Sequence, residues 1–137
     1  MSLHPYLSYK GNCAEAFKFY ETATGGKITF LITYDQAPPG SPVPPDMAGQ
    51  VMHARMSIGD GVLMGSDAPT QFASTPAGFS VSLNLETPEE ADKIFAALSA
   101  GGTVKMPIAE TFWAQRFGMF IDKFSIPWMI NCEKPMS

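Results

Sequence analysis

Along residues 80–86, apolar Val81, Leu83 and Leu85 alternate with polar Ser80, Ser82 and Asn84, the period of a strand with one covered face. The pattern then changes. Thr87-Pro88-Glu89-Glu90 supplies an N-cap, a proline at the first helical position and a capping-box glutamate. Ala91, Ile94, Phe95 and Leu98 follow at helical spacing, Gly101-Gly102 ends the helix, and residues 103–107 return to strand character. The same order occurs earlier in the chain. The stretch HPYLSY reads as a strand with His4 at its threshold, and Asn12 and Glu15 open a helix as cap and capping-box partner. Ala16, Phe17, Tyr20 and Ala23 form its apolar stripe, Gly25-Gly26 stops it, and KITFLITY at residues 27–34 is a β-branched and aromatic strand.

Each half closes with two more strand candidates. Residues 50–58 and 62–66 flank Gly59-Asp60-Gly61, a hairpin turn whose residues tolerate positive φ. Residues 115–121 and 126–131 flank Asp122-Lys123-Phe124-Ser125. The prediction is an α+β fold of two βαβββ modules in one domain, 1–137, with module one at about 1–68 and module two at about 78–134. Between the second and third strands lies QAPPGSPVPPDMAG, residues 36–49, whose five prolines resist regular pairing. It is either a lid over a site or a connector.

Composition narrows the class. A hydrophobic fraction of 45% and a charged fraction of 16% suit an ordinary globular domain, and the net charge of −4 with no clustered Lys/Arg stripe disfavours nucleic acid or an anionic membrane as partner. Neither a cleavable leader nor an apolar stretch near the roughly 20 residues of a membrane span is evident, so the expected location is cytoplasmic. Cys13 and Cys132 have no CxxC spacing and are expected to be reduced. Cys13 is read as a small buried thiol in preference to a thiolate at a helix start.

Three stretches, PYLSYKGNCAEAFKFY at residues 5–20, HARMSIGDGVLMGSDA at 53–68 and ETFWAQRFGMFIDKFSIPWMIN at 110–131, carry a resemblance. The chain resembles the PhnB-like branch of the vicinal oxygen chelate superfamily, which includes glyoxalases, extradiol dioxygenases and bleomycin-resistance proteins. The resemblance implies an eight-stranded cup-shaped sheet with outer helices, and a homodimer in which paired chains complete the cups. It also implies four metal-ligand positions in the metal-bearing members. His4 matches the first; the others fall near residues 64–66, at Ser80 and at Met129, where thioethers and hydroxyls replace the usual donors. Such groups are poor partners for a hard divalent cation. Asp67 would add a carboxylate only if the alignment slipped. No metal and no cofactor are predicted, and the alternative is a glyoxalase- or dioxygenase-related metal-dependent enzyme. Members of this branch also carry a ubiquinone-pathway methyltransferase label. It is set aside here because the chain has neither a Gly-rich turn after its first strand nor a doubly wound pattern.

Strand alternation proposes the site. If Met52, Ala54, Met56 and Ile58 face the helix, then His53, Arg55 and Ser57 face the other way, and Ser80, Ser82 and Asn84 do so in module two. The ligand-binding set is therefore His4, Tyr6, His53, Arg55, Ser82 and Asn84, with Trp113 at the rim beside Phe112 and Glu110. His53 and Glu110 are the candidate acid/base groups; strand-edge hydrogen bonds or a dimer contact would equally explain His53 and Arg55. Phe117, Phe120, Phe124 and Trp128 are assigned to the core, as are Met106, Met119 and Met129 as fillers. Two functions fit: a metal-independent protein that sequesters an unidentified small molecule, or an enzyme using His53 or Glu110.

Overall fold

A computed structural model describes residues 1–41, 43, 46–68 and 75–135. Its elements run β1 (Tyr6–Tyr9), α1 (Cys13–Thr24), β2 (Lys27–Thr33), a 3-10 turn (Tyr34–Gln36), β3 (Val51–Ile58), β4 (Gly61–Asp67), β5 (Val81–Asn84), α2 (Pro88–Ser99), β6 (Thr103–Ala109), β7 (Ala114–Ile121) and β8 (Pro127–Glu133). The eight strands form two four-stranded sheets, ordered β1-β4-β3-β2 and β5-β8-β7-β6. The outer pair β1/β4 is parallel and the rest of the first sheet antiparallel; β5/β8 repeats this in the second. This is the predicted pair of βαβββ modules. By contacts the chain divides into two compact units, Met1–Ser74 and Thr75–Ser137, one per module.

In each unit the first and second strands occupy opposite edges, so the helix between them must cross a whole face of the sheet. Its apolar stripe covers that face. From α1 come Cys13, Ala16, Phe17 and Tyr20, and from the sheet below Leu7, Tyr9, Ala54, Met56 and Leu63, all buried. The Tyr9 and Tyr20 hydroxyls satisfy each other at 3.0 Å inside this layer. In the second unit Ala91, Ile94, Phe95 and Leu98 of α2 meet Phe120, Trp128, Ile130 and Cys132. Two glycines allow the close approach: a Cβ on Gly65 would lie 2.9 Å from the Leu7 carbonyl oxygen and 3.1 Å from the Phe17 ring, and one on Gly118 would lie 2.5 Å from Phe95.

The helix starts differ. Thr87 caps α2 as expected, accepting the Glu90 N–H at 3.2 Å, with Pro88 in the first turn. Asn12 stands at the N-cap of α1 but its side chain makes no capping bond. Asp67, distant in sequence, does that work. Alternation along β4 puts Leu63, Gly65 and Asp67 on the helix side, so the carboxylate arrives under the first turn of α1. Its Oδ1 accepts the N–H groups of Gly11 at 2.9 Å and Cys13 at 3.0 Å, and its Oδ2 accepts that of Val51 at 2.9 Å. Asp122 serves the β7–β8 turn in the same manner, accepting from Phe124 and Ile126 N–H and from Trp128 Nε1.

Part of the proline-rich stretch is described. Asp35 N–H reaches the Ala48 carbonyl, Tyr34 N–H the Gln50 carbonyl, and Met47 is buried. Pro42, Pro44 and Pro45, on which the choice between lid and connector turns, lie outside the described residues.

Candidate site on the helix-free sheet faces

The cross-strand register decides which side chains share the face away from each helix. In the first sheet one transverse row runs Phe30, Arg55, Met64, Tyr6 across β2, β3, β4 and β1. His53 stands one row along β3, opposite Ile32. The Tyr6 hydroxyl lies 3.1 Å from His53 Nδ1, and the two rings stack with centroids 5.7 Å apart and 25° between planes. The Phe30 ring lies 5.9 Å from the same imidazole. Tyr6 and Phe30 are both 49% exposed, and Arg55 is exposed. Among the described residues no carboxylate forms an ion pair with Arg55.

Phe30 is absent from the sequence-derived set, and the reason is a bulge. Ile28 pairs with Met56 and Phe30 with Arg55, so two steps on β2 meet one on β3 and Thr29 is the extra residue. Simple alternation would put Phe30 beside Ile28 under the helix; the bulge turns it to the other face. A second bulge at Met52 turns Val51 inward, 2% exposed, although it shares the sequence parity of His53. Ala54 and Met56, both fully buried, keep the expected side. The hairpin after them turns on Gly59, at φ 55°.

In the second unit, Ser82 and Asn84 are exposed on β5. Asn84 Oδ1 accepts from Asn131 Nδ2 at 2.9 Å, while the buried Asn131 Oδ1 has no hydrogen-bond partner among the described residues. A cleft of about 490 Å³ opens at this end of the sheet, lined by Asn84, Leu85, Glu86, Gln115, Glu133 and Pro135. Gln115 Nε2 donates to the Glu133 carbonyl at 2.9 Å. Sequence reading took only Asn84 from this group; the others become neighbours through the parallel β5/β8 and antiparallel β7/β8 pairings, long-range contacts with no local signal.

Trp113 is 46% exposed and Phe112 89% exposed, on a turn closed by Thr111 Oγ1, which accepts the Trp113 and Ala114 N–H groups. The Trp113 ring packs at 5.4 Å on Phe117. Glu110 is engaged with Lys134 Nζ at 3.2 Å on the surface. His4 is partly exposed just before β1. The structure thus joins Tyr6, His53 and Arg55 on one sheet face; Ser82, Asn84, Trp113 and Glu110 belong to the other unit.

One assignment is corrected. Met106, Met119 and Met129 lie opposite one another in a row that ends at Ser82, on the helix-free face, and Met106 is 44% exposed. They do not fill the helix-side core. Phe117, Phe120, Phe124 and Trp128 are buried as expected.

The donor positions implied by the superfamily do not suit a divalent cation. Met64, Ser66, Ser80 and Met129 offer thioethers and neutral hydroxyls, and the nearest carboxylate, Asp67, is 1% exposed with both oxygens bound to backbone N–H groups. Among the described residues no three His, Cys, Asp or Glu side chains converge as ligands.

Two groups of the first unit have shifted proton affinity. Burial, reinforced by the Asp67 charge, pushes the Cys13 thiol far above its ordinary range. The Tyr34 phenol, which donates to the Asp67 carbonyl at 3.2 Å, is raised by burial and then by Tyr6 and Asp67.

Comparison with known proteins gives a consistent picture. The family model described as 3-demethylubiquinone-9 3-methyltransferase matches residues 1–131. Protein YjdN of Escherichia coli strain K12 is 35% identical over 144 residues, covering 98% of this chain and 97% of YjdN. The crystal structure of PA1353 from Pseudomonas aeruginosa superposes with a TM-score of 0.87 at 40% identity, covering 98% of this chain and 99% of that one. The PhnB protein from Bacillus cereus gives a TM-score of 0.76 at 27% identity, covering 96% and 99%. The family description names a methyl transfer. The match establishes kinship and not that reaction, and each sheet here has one parallel and two antiparallel pairs, unlike a doubly wound parallel sheet.

Proposed function

The chain belongs to the 3-demethylubiquinone-9 3-methyltransferase family, the PhnB-like branch of the vicinal oxygen chelate superfamily, and from that premise we propose that it binds a small molecule without a bound metal. In this reading it is a single cytoplasmic domain that works as a homodimer. No helix among the described residues is long and apolar enough to cross a membrane.

The observation that carries the reading is the Tyr6–His53 pair, hydrogen-bonded and stacked on a sheet face that no helix of its unit covers, with Phe30 and Arg55 beside it. Polar and aromatic groups held by strands, rather than by mobile loops, are pre-positioned for a ligand. The Met64, Ser66, Ser80 and Met129 positions, with their thioethers and hydroxyls, leave His4 without the partner donors that chelation needs and argue for organic contacts.

Native mass spectrometry and elemental analysis of protein purified without added ligand test this. The expected result is a small organic adduct, lost when His53 and Arg55 are both replaced by Ala, with no stoichiometric zinc, nickel, manganese or iron. One such metal per chain, lost on His4→Ala, overturns the metal-free reading. A monomer by light scattering across micromolar concentrations overturns the dimer.

A further inference from the structure

The row across the first sheet has a chemical order that narrows what binds there. Neighbouring strands are about 4.8 Å apart, so Phe30, Arg55, Met64 and Tyr6 span about 14 Å in a line, the guanidinium one strand in from the Phe30 end. Apolar side chains flank the charge on both sides. His53 reaches across to Tyr6 through Nδ1, leaving its Nε2 as the free ring nitrogen.

An exposed arginine without an acidic partner is ordinary on a protein surface. Two features set Arg55 apart. Its immediate cross-strand neighbours, Phe30 and Met64, are apolar, so no competing carboxylate stands on either side of it. The two aromatic side chains of the row are each 49% exposed on the same face, where large apolar surface is otherwise costly to leave in water. A ligand that satisfies both features needs a planar apolar body for the apolar side chains flanking Arg55, Phe30 foremost, and an oxyanion for the planar donor fork of arginine.

We propose that this face binds a small aromatic or conjugated carboxylate, its carboxylate on Arg55 and its ring against Phe30, the cross-strand neighbour of Arg55. The proposal rests on the reading of this face as the ligand site and adds the ligand's charge and shape. The His53–Tyr6 pair is the polar end of the row and accepts or donates to a second polar group on the ligand.

Titration with trans-cinnamate and its neutral counterpart cinnamamide, followed by calorimetry on the full chain, tests it. Cinnamate is expected to bind one per chain, with cinnamamide at least ten-fold weaker. Arg55→Gln should weaken cinnamate about ten-fold and leave cinnamamide within two-fold, Arg55→Lys should recover part of the loss, and Phe30→Ala should weaken both. Circular dichroism of each variant separates a binding defect from misfolding. Equal binding of the two probes, indifferent to Arg55→Gln yet weakened by Phe30→Ala, overturns the carboxylate while leaving the face as a binding site. Binding that ignores both substitutions overturns the face itself. No binding of either probe at millimolar concentration overturns the ligand class. Conversion of a dimer to a monomer by Phe30→Ala or Arg55→Gln, with cinnamate affinity unchanged, identifies the face as a contact between copies and overturns the proposal.

Discussion

Asp67 Oδ1 accepts the backbone N–H of Cys13 at 3.0 Å, so the first turn of α1 is held by a carboxylate at the far end of β4. The same carboxylate reaches Gly11 and Val51, and one side chain thereby joins the β1–α1 loop, the helix start and the entry to β3. Asp67→Ala leaves three N–H groups without their acceptor. The expected cost is about 3–5 kcal/mol, because an unsatisfied buried donor costs about 1–3 kcal/mol and partial hydration relieves some of it. Urea unfolding measures it, and a loss below about 1 kcal/mol would contradict the structural role. Asp67→Asn should cost less, since an amide oxygen still accepts.

Gly118→Ala should destabilise more than Gly65→Ala. The added methyl of the first would meet the Phe95 ring at 2.5 Å and the Ile108 Cα at 3.0 Å, both walled in by α2 and β6. At Gly65 the nearest atoms are 2.9 and 3.1 Å away. Overpacking costs about 1–3 kcal/mol; denaturant midpoints of the two variants give the order directly.

Stability should fall above about pH 8.5 through Cys13. Burial raises the folded-state thiol pKa above the unfolded value. Below the unfolded pKa both states hold the proton and the thiol's contribution is fully present. Above it only the unfolded state ionises, and stability declines by about 1.4 kcal/mol per pH unit toward the folded pKa. Denaturant midpoints from pH 7 to 10 should show this slope, and Cys13→Ala should reduce it, leaving the share of Cys132, whose thiol is also raised by burial and then by Glu89 and Glu90. A second check is alkylation: native protein at pH 8 should leave Cys13 unmodified, while unfolded protein reacts.

Replacing His53 and Arg55 together by Ala should change thermal unfolding little, because neither contributes to the buried layer beneath α1. The expected shift is within about 3 °C, on the scale of surface substitutions below about 0.5 kcal/mol. Loss of the co-purified adduct at unchanged stability is the signature of a binding role. A large stability loss with the adduct retained would make both residues structural.

Local signals carried the element order. Alternation in β5, the Thr87-Pro88 start of α2, the glycine pairs after both helices and the Gly59 turn all act within a few residues, and each appears where the sequence places it. The helix-side core follows from the same periodicity, since Phe17, Tyr20, Ile94 and Phe95 need only a neighbouring sheet to be buried. The methionine row is where that logic failed. Hydrophobicity marks Met106, Met119 and Met129 as apolar but does not say which face of a sheet they occupy, and the register sends them away from α2.

By itself, then, the sequence determined the βαβββ repeat, the helix-side core and the thiols' lack of a local partner, because propensity, period and capping are short-range properties. Only the tertiary structure decided the cap of α1, which Asp67 supplies across β4 in place of Asn12. It also decided the membership of the site. A one-residue bulge at Thr29 brings Phe30 beside His53, and the parallel β5/β8 pairing brings Asn131 to Asn84. The physical reason is shared: strand register is set by the sum of contacts along the paired strands, and one inserted residue reverses the face of every side chain beyond it.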